Sequence, residues 1–305
     1  MTTYFLARVV RLILVWVGIT LATFCLLRLT GDPARLILGE LASSEAVREF
    51  QRLHGLDRPL PAQYLAFVGG ILVGDFGRSL RFEQPILPIV LERLPATLEL
   101  AGGSLALSVL IGVPLGIAAA LRRDRPVDYV ARGLVVVAQG VPNFLLAILM
   151  ILFFSVRLRW LPTGGRGTWS HLVLPAIVLS FILLPLTVRV TRATMLDVIG
   201  RAYVRTARSK GLRESAVLGR HALRNAALPI LTILGVQAAS LLGGSIVTET
   251  VFSWPGVGRL IVSAIFARDF PLVQSAVLVV ATAVVLVNFL VDSLYGVLDP
   301  RISTS

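Results

Sequence analysis

The chain has 305 residues, of which 56% are hydrophobic and only 15% are charged, and its mean hydropathy is +0.83. Soluble domains carry roughly a quarter charged residues, so this composition excludes a soluble globular domain, a disordered chain and a disulfide-rich secreted domain. The net charge of +12 could indicate nucleic-acid binding. The basic residues, however, collect in short loops between apolar segments, as they do beside a membrane.

Six apolar stretches without charged residues predict six membrane-spanning helices. A helix of about 20 residues crosses roughly 30 Å of hydrocarbon. The stretches are residues 12–27, 100–121, 133–156, 172–188, 225–248 and 270–291. They are continuous rather than alternating, which disfavours a β-barrel. We therefore expect an all-α polytopic membrane protein.

The first 95 residues divide into two parts. Residues 1–30 form the N-terminus and the first span, which is longer than the apolar region of a signal peptide and is expected to stay uncleaved. Residues 31–95 are nearly neutral and interrupted by prolines, which predicts a helical external segment. Within it, residues 59–74 favour a short helix at the membrane surface. If that helix crossed the membrane, every later loop would change sides.

Orientation follows from the basic residues in the remaining part, the transmembrane core of residues 96–305. Residues 122–132 hold four basic residues, and residues 189–225 hold nine against two acidic ones. The intervening loops contain fewer basic residues, with three in 157–171 and two in 249–269. By the positive-inside rule the two basic loops lie in the cytoplasm. Six spans then place both termini in the cytoplasm.

The sequence lacks the motifs of common enzymes. Its single lysine, Lys210, lies in Arg-Ser-Lys-Gly, so the printed chain has no P-loop. The three histidines are isolated from one another, and no zinc-protease or serine-hydrolase motif occurs. We expect neither catalysis nor a cofactor nor a metal. The spans carry no charge at membrane depth, which weighs against an ion-coupled secondary carrier, although that class stays an alternative.

Polar and small residues within two spans have two interpretations, close helix packing or the lining of a pathway. They lie in the third span around Pro142 and in the fifth span. The lining candidates are Gln139, Asn143, Gln237, Ser240 and Gly244.

The segment between the fifth and sixth spans begins with an aromatic turn formed by Phe252, Trp254, Pro255 and Gly256. Apolar residues at helical spacing follow it. One interpretation is an interfacial helix anchored by its two aromatic residues. The other is an external gate, a re-entrant element that borders the pathway.

The basic loop of residues 189–225 predicts two short helices with a break at Gly211, a residue suited to the left-handed conformation at a helix end. Tied to spans at both ends, the two helices would form a rigid handle outside the membrane. The alternative is a solvated basic loop that holds anionic lipid.

This loop resembles the EAA loop of the inner-membrane permeases of binding-protein-dependent ABC importers. Ala207 and Gly211 match the Glu-Ala-Ala…Gly pattern, whereas Arg205 and Thr206 instead resemble the dipeptide/oligopeptide branch. Other segments resemble that branch in the same order along the chain. They are Gly-Asp-Pro-Ala at 31–34, Gly-Asp-Phe-Gly at 74–77, Leu-Pro-Thr-Gly at 161–164, His-Ala-Leu-Arg-Asn at 221–225, residues 249–259, and the tail at 292–301.

The resemblance implies six helices of the type I ABC importer permease and a place in the bacterial inner membrane. It implies the first of two homologous permease subunits, working with two cytoplasmic ATPases, an extracytoplasmic binding protein and membrane lipid. The cargo would be dipeptides or oligopeptides, or alternatively glutathione or nickel complexes. Residues around 202–219 would seat on an ATPase. The coupling residues so implied are Tyr203, Arg205, Thr206, Ala207, Lys210, Gly211 and Glu214.

Overall fold

The computed structural model describes residues 2–29, 33–39, 42–53 and 55–298, and these are almost entirely helical. Side chains are described at 10, 13–25, 34, 35, 38, 39, 42–53 and 55–291. The described part contains no β-strand beyond one isolated bridge between Arg78 and Pro85. Within the family-like motifs, residues 31, 32 and 299–301 lie outside the described residues. The fold is the all-α membrane protein that the composition predicted.

The chain divides into two compact units, described separately below. One comprises the residues up to Thr97 together with Pro255–Val285. The other comprises Leu98–Trp254 together with the residues from Leu286 onward.

The first unit begins with four helices, of which the first and fourth pack together. They are α1 (Thr2–Leu29), α2 (Pro33–Leu38), α3 (Ser44–Leu53) and α4 (Leu60–Leu72). The hydroxyls of Thr20 and Tyr64 lie 2.9 Å apart, and the rings of Phe24 and Tyr64 meet edge to face at 5.4 Å. The helical character expected for residues 31–95 and for 59–74 is confirmed. Whether α4 lies at the membrane surface stays a prediction.

The core of the first unit lies where the start of α5 (Ile86–Leu121) meets α13 (Val257–Phe266) and the start of α14 (Phe270–Leu298). Fully buried apolar side chains from all three helices fill it, among them Ile86, Val257 and Leu272. The N–H of Val257 also donates to the Thr97 hydroxyl at 2.9 Å. Apolar burial and this bond together fix where α13 begins.

The second unit is a bundle around one long central helix. Its elements are the rest of α5, α6 (Pro126–Gly140), α7 (Asn143–Met150) with a π-helical continuation Ile151–Arg157, α8 (Trp169–Ile199), α9 (Ala202–Ser209), α10 (Glu214–Ala216) with a π-helical continuation Val217–Leu223, α11 (Arg224–Gly244) and α12 (Ile246–Val251). Helix α8 packs against α6, α7 and α11. It is also the most buried candidate span, with 61% of its apolar window inside the protein.

Two glycines one helical turn apart bring α5 against α8. A Cβ at Gly112 would lie 2.8 Å from Thr187 Cγ2, and one at Gly116 would lie 2.7 Å from Thr191 Cβ. Both distances are shorter than atoms tolerate, so only glycine permits this approach. Small residues four apart are a common means of close helix packing in membranes. The two helices therefore meet through backbone and threonine surfaces.

The third predicted span, residues 133–156, is not one straight helix. Helix α6 ends at Gly140, α7 begins at Asn143, and the two are bent by 100°. Pro142 lacks an amide hydrogen and its ring disfavours helical continuation, which accounts for the break. The span predicted at this position is therefore interrupted near its middle. The segment is a broken span or a re-entrant pair.

Four helices are long and apolar enough to cross a membrane, and the bent pair makes up to five. This count covers the described residues only. The four are α5, α8, Glu214–Gly244 and Phe270–Val291, which match four of the predicted spans. The first predicted span lies in α1, where the apolar stretch with described side chains is Ile13–Cys25. The total of six stays a prediction.

Candidate functional site

The basic loop after α8 ends its first helix in a defined cap at Gly211. The backbone φ of Gly211 is +75°. Its N–H donates to the Arg208 carbonyl at 2.9 Å, and the N–H of Leu212 donates to the Ala207 carbonyl at 3.4 Å. This pair of bonds is the Schellman motif, which favours glycine because L-residues are strained there. The break predicted at Gly211 is confirmed.

An ion pair spans the same turn. Arg208 donates to both carboxylate oxygens of Glu214, at 2.7 Å from Nη2 and 3.2 Å from Nε. The hydrogen bond to Glu214 raises the pKa of Arg208, so this guanidinium stays charged at any physiological pH. Bidentate geometry fixes direction as well as distance. The pair therefore bridges the turn between α9 and α10.

Buried apolar side chains anchor the loop to the ends of three long helices. Val204 and Ala207 of α9 and Val217 of the following turn are almost fully buried. They belong to one cluster with α5, α8 and α11, to which these helices contribute Ala120, Met195, Val198, Ala226 and Ile230. The loop is thus packed on the bundle, as the rigid-handle interpretation requires and a freely solvated loop would not be.

The coupling residues implied by the sequence divide between two faces of this loop. Ala207 points into the buried cluster, so its side chain is used in packing rather than in an outward contact. The others are exposed, namely Tyr203, Arg205, Thr206, Lys210, Gly211 and Glu214. These exposed residues, defined here as the coupling face, are available to a partner.

A second ion pair, which the sequence did not reveal, joins α6 and α8. The carboxylate of Asp128 is fully buried and receives Arg192 Nε and Nη2, each at 2.7 Å. Arg132 approaches the same carboxylate at 3.6 Å. A buried acid with a bidentate partner holds two helices in one register. Asp128 could have been suspected from its place among basic residues, but its partner lies 64 residues away.

The broken third span forms a cavity beside α8. The cavity measures about 330 Å³ and is lined partly by Gln139, Asn143 and Pro185. The Asn143 side-chain amide donates to the Thr248 hydroxyl at 2.9 Å, while its buried Oδ1 has no hydrogen-bond partner in the described structure. A buried polar atom without a partner is uncommon in proteins. Gln139 and Asn143, on either side of the break in the third span, thus line the same cavity.

The lining candidates of the fifth span separate into buried and exposed residues. Gln237 is only 4% exposed and donates to the Leu183 carbonyl at 2.8 Å, while its Oε1 accepts from the Thr187 hydroxyl at 3.1 Å. This placement agrees with helix packing, the alternative interpretation, and not with a surface that passes cargo. Ser240 and Gly244 are exposed on the same helix. The structure thus separates them from Gln237.

The aromatic residues of the turn after α12 lie inside the protein. Trp254 is 0% exposed and Phe252 is 1% exposed, so neither can anchor an interfacial helix from the surface, and that interpretation is wrong. The loop containing Gly164 contacts the first of them, because the N–H of Gly165 donates to the Phe252 carbonyl at 2.8 Å. A Cβ at Gly164 would overlap that carbonyl. Glycine at position 164 therefore permits this close approach to the Phe252 backbone.

Pro255 and Gly256 complete the turn and lead into α13. Gly256 occupies the N-cap of that helix, and Pro255 precedes it. Leu260, Ile261 and Ala264 of the predicted helical stretch are buried. The turn and helix predicted here are confirmed, whereas the gating role is not tested by the structure.

Comparison with known proteins identifies the family. The model of the family described as "Binding-protein-dependent transport system inner membrane component" matches residues 112–304, and that of its N-terminal region matches residues 1–101. The dipeptide transport system permease protein DppB of Escherichia coli strain K12 is 39% identical, with 99% of both chains covered. The glutathione transport system permease protein GsiC of Pectobacterium atrosepticum is 40% identical, again with 99% of both covered.

Solved structures agree on the fold. The inward-facing MetNI methionine ABC transporter superposes with a TM-score of 0.60 at 16% identity, covering 71% of this chain and 99% of that one. An amino acid ABC transporter gives 0.51 at 18% identity, covering 70% and 94%. At these identities the likeness concerns the fold alone. With the helical bundle and the full-length similarity, it follows that the chain belongs to the binding-protein-dependent inner membrane components, the permeases of ABC importers.

Proposed function

We propose that this chain is one of two homologous permease subunits of an ATP-driven importer of dipeptides or oligopeptides. The observation that carries the proposal is the loop of residues 201–225, which is packed rigidly on the bundle yet presents an exposed polar coupling face. The printed chain has no P-loop, so ATP hydrolysis requires a separate subunit. The names of the dipeptide permease relatives support the cargo.

In this proposal the coupling face seats on a cytoplasmic ATPase. ATP binding brings two ATPases together and moves the loop, and the bundle passes from inward-open to outward-open. Cargo then enters from a docked extracytoplasmic binding protein, and hydrolysis resets the permease. Such switching requires each partner to bind one conformation better than the other. The buried cluster around Val204 and Val217 gives the loop the stiffness to transmit the movement.

The translocation path is proposed to use the polar groups that stay available in the structure. These are Gln139 and Asn143 at the break of the third span, and Ser240 and Gly244 on the exposed side of α11. The turn at Phe252, Trp254, Pro255 and Gly256 is proposed as the external gate. A path for varied peptides needs polar walls without tight binding, because tight binding would slow release.

The proposed location of the protein is the bacterial inner membrane, with residues 31–95 outside the cytoplasm and both termini inside it. In a Cys25→Ser background, a membrane-impermeant maleimide added to intact cells should label Glu45→Cys but not Lys210→Cys. Permeabilised cells supply the control, since both positions should then react. Labelling of position 210 alone in intact cells would reverse the orientation and contradict the proposal.

The function is tested by reconstitution. The purified chain alone should hydrolyse no ATP, whereas the complex with a second permease, two ATPases and the binding protein should hydrolyse it and take up labelled dipeptide. The ATPase rate should rise when loaded binding protein is added. Uptake driven by an ion gradient without ATPase subunits would instead indicate a secondary carrier.

Glutathione is a second candidate cargo, favoured by the 40% identity to glutathione permeases. The two cargoes are separated by measuring which compound the cognate binding protein retains, and which is accumulated by vesicles carrying the whole complex. Accumulation of glutathione but not of dipeptides would replace the first proposal with the second. Accumulation of nickel complexes, the remaining candidate cargo, can be measured in the same vesicles.

A further inference from the structure

Two prolines in different helices each free a backbone carbonyl in the wall of the cavity at the broken third span. A helical carbonyl accepts from the N–H four residues later, and proline has no N–H to donate. Pro142 therefore leaves the Ala138 carbonyl of α6 without its usual donor, and Pro185 does the same to the Phe181 carbonyl of α8. Ala138 and Phe181 both line this cavity. Two backbone acceptors without their helical donors thus belong to one wall.

Asn143 adds a third acceptor to the same wall. Its amide nitrogen donates to the Thr248 hydroxyl at 2.9 Å, which fixes the plane of the amide. Its Oδ1 is buried and has no hydrogen-bond partner in the described part of the chain. A buried acceptor without a donor costs free energy, and a ligand that supplies an N–H removes that cost.

The chemistry of the wall selects a ligand rich in N–H groups. The residues that line the cavity include no acid and no base, and the remaining polar side chain among them, Gln139, can donate or accept. The wall also contains the last turn of α6, whose partial negative charge favours a positive group. The first N–H groups of α7 begin at Asn143 in the same wall and can receive a carbonyl or carboxylate of the same ligand.

The size and place of the cavity suit the main chain of a short peptide. Its volume of about 330 Å³ lies within the roughly 300–1,000 Å³ of pockets that enclose a small molecule. The break lies inside the apolar stretch 133–156, where backbone groups need partners that lipid cannot supply. Interrupted helices of transporters place such free backbone groups beside the substrate. A peptide main chain carries the matching groups whatever its side chains are.

We propose that this cavity is a transient site for the main chain of the translocating peptide, whose N–H groups donate to the acceptors of Ala138, Asn143 and Phe181. The proposal rests on the function proposed above and adds a recognition step inside the permease itself. Because the contacts involve main-chain groups only, peptides with different side chains are accepted alike. Each such hydrogen bond is modest, so the site orients the peptide without trapping it.

The test measures the uptake rate of dipeptides by the whole complex in proteoliposomes, at saturating loaded binding protein, with the ATPase rate recorded alongside. It compares two dipeptides that differ only by a methyl group on the peptide nitrogen and that the binding protein retains equally. The wild-type complex should carry the methylated peptide about fivefold more slowly, because that peptide has lost its N–H donor. A second pair, matched in the same way but with free and acetylated amino termini, distinguishes the ammonium group from the peptide N–H as the donor.

Four variants locate the effect. Pro185→Ala restores an N–H for the Phe181 carbonyl and should at least halve the wild-type ratio. Pro175→Ala, at the other proline inside α8, lies outside the cavity and should keep that ratio. Asn143→Leu removes the third acceptor and should carry both peptides at nearly the same reduced rate. Its matched control is Asn288→Leu on α14, at an exposed asparagine outside the cavity, which should behave as wild type.

Three results would overturn the proposal. One is equal uptake of both members of each peptide pair by the wild-type complex. Another is an unchanged ratio in both Pro185→Ala and Asn143→Leu when these variants assemble normally. The third is an equal fall of the ratio in Pro185→Ala and Pro175→Ala, which would assign the effect to α8 as a whole. If Asn143→Leu fails to assemble, the two proline variants decide. Absence of ATP-dependent uptake of any peptide by the wild-type complex would refute the function proposed above, which is a separate result.

Discussion

Replacing Gly211 tests whether the shape of the basic loop matters for coupling. The φ of +75° is unfavourable for an L-residue, and no atom lies within 4 Å of a Cβ built there. The effect of a substitution is therefore a backbone effect alone. Alanine should cost roughly 1–2 kcal/mol in the left-handed region. Valine should cost more, because a β-branched residue is an outlier at positive φ.

If the turn rearranges to escape this strain, the two bonds of the Schellman motif are lost as well. Each is worth about 1 kcal/mol. A bias of 1–2 kcal/mol changes a two-state ratio by a factor of roughly 5–30. The fraction of loops with a correctly placed coupling face should fall by that factor in Gly211→Ala and further in Gly211→Val. Gly211→Asn should stay near wild type, since asparagine tolerates this conformation.

The assay measures four quantities in the same membranes: abundance of the chain, assembly with the ATPases, ATPase rate and peptide uptake. We expect normal abundance, weaker assembly, and ATP hydrolysis no longer matched by uptake. Gly219→Ala is the matched control, because Gly219 is also exposed and open around its Cβ but has no positive φ. Alanine there should be neutral or stabilise the helix by about 0.5–1 kcal/mol.

Two results would refute this reasoning. Wild-type uptake and coupled ATPase activity in Gly211→Val would show that the left-handed turn is not needed. Equal losses in Gly211→Ala and Gly219→Ala would show that backbone conformation is not the cause. Reduced abundance in the valine variant alone would indicate misfolding, and the alanine and asparagine variants would then decide the question.

Two further predictions concern stability. Arg192→Gln should destabilise the protein by about 3 kcal/mol, because it leaves the buried carboxylate of Asp128 without its bidentate partner. Thermal unfolding of the purified protein measures this loss, and adding Asp128→Asn to the same protein should recover part of it. A cost below about 1 kcal/mol for Arg192→Gln would contradict the prediction. Gly164→Ala should cost about 1–3 kcal/mol through overlap with the Phe252 carbonyl. Gly102→Ala, which meets nothing within 4 Å, should be tolerated in the same unfolding experiment, and equal losses at the two glycines would argue against the overlap.

Features set by residues close together in the sequence made part of the architecture predictable. A lone glycine between two polar helical stretches indicated the turn at Gly211, and long charge-free runs indicated α5, α8 and the final span. These features depend on residues close together in sequence. The bend of 100° at Pro142 was not predicted, because residues 133–156 carry no charge and only Gln139, Pro142 and Asn143 interrupt their hydropathy.

Features set by distant residues were beyond the reach of the sequence. The aromatic residues Phe252 and Trp254 are of the type that anchors a helix at a membrane interface, but both are buried, and the loop containing Gly164 contacts Phe252. Gln237 has the polarity of a pathway residue, but its amide satisfies the backbone of α8. In each case tertiary contacts, which polarity and position along the chain do not encode, decide the environment of the side chain.

The anchoring of the basic loop has a mechanical consequence. Its buried residues belong to a cluster shared with α5, α8 and α11. A force applied to α9 therefore acts on these three helices together. None of the three helices can tilt at the end that contacts the loop without moving the cluster that it shares with the other two. The contact at Gly112 and Gly116 holds α5 against α8 along the same bundle, so these two helices are joined at a second place as well. A displacement of the loop would therefore be expected to tilt the three helices together.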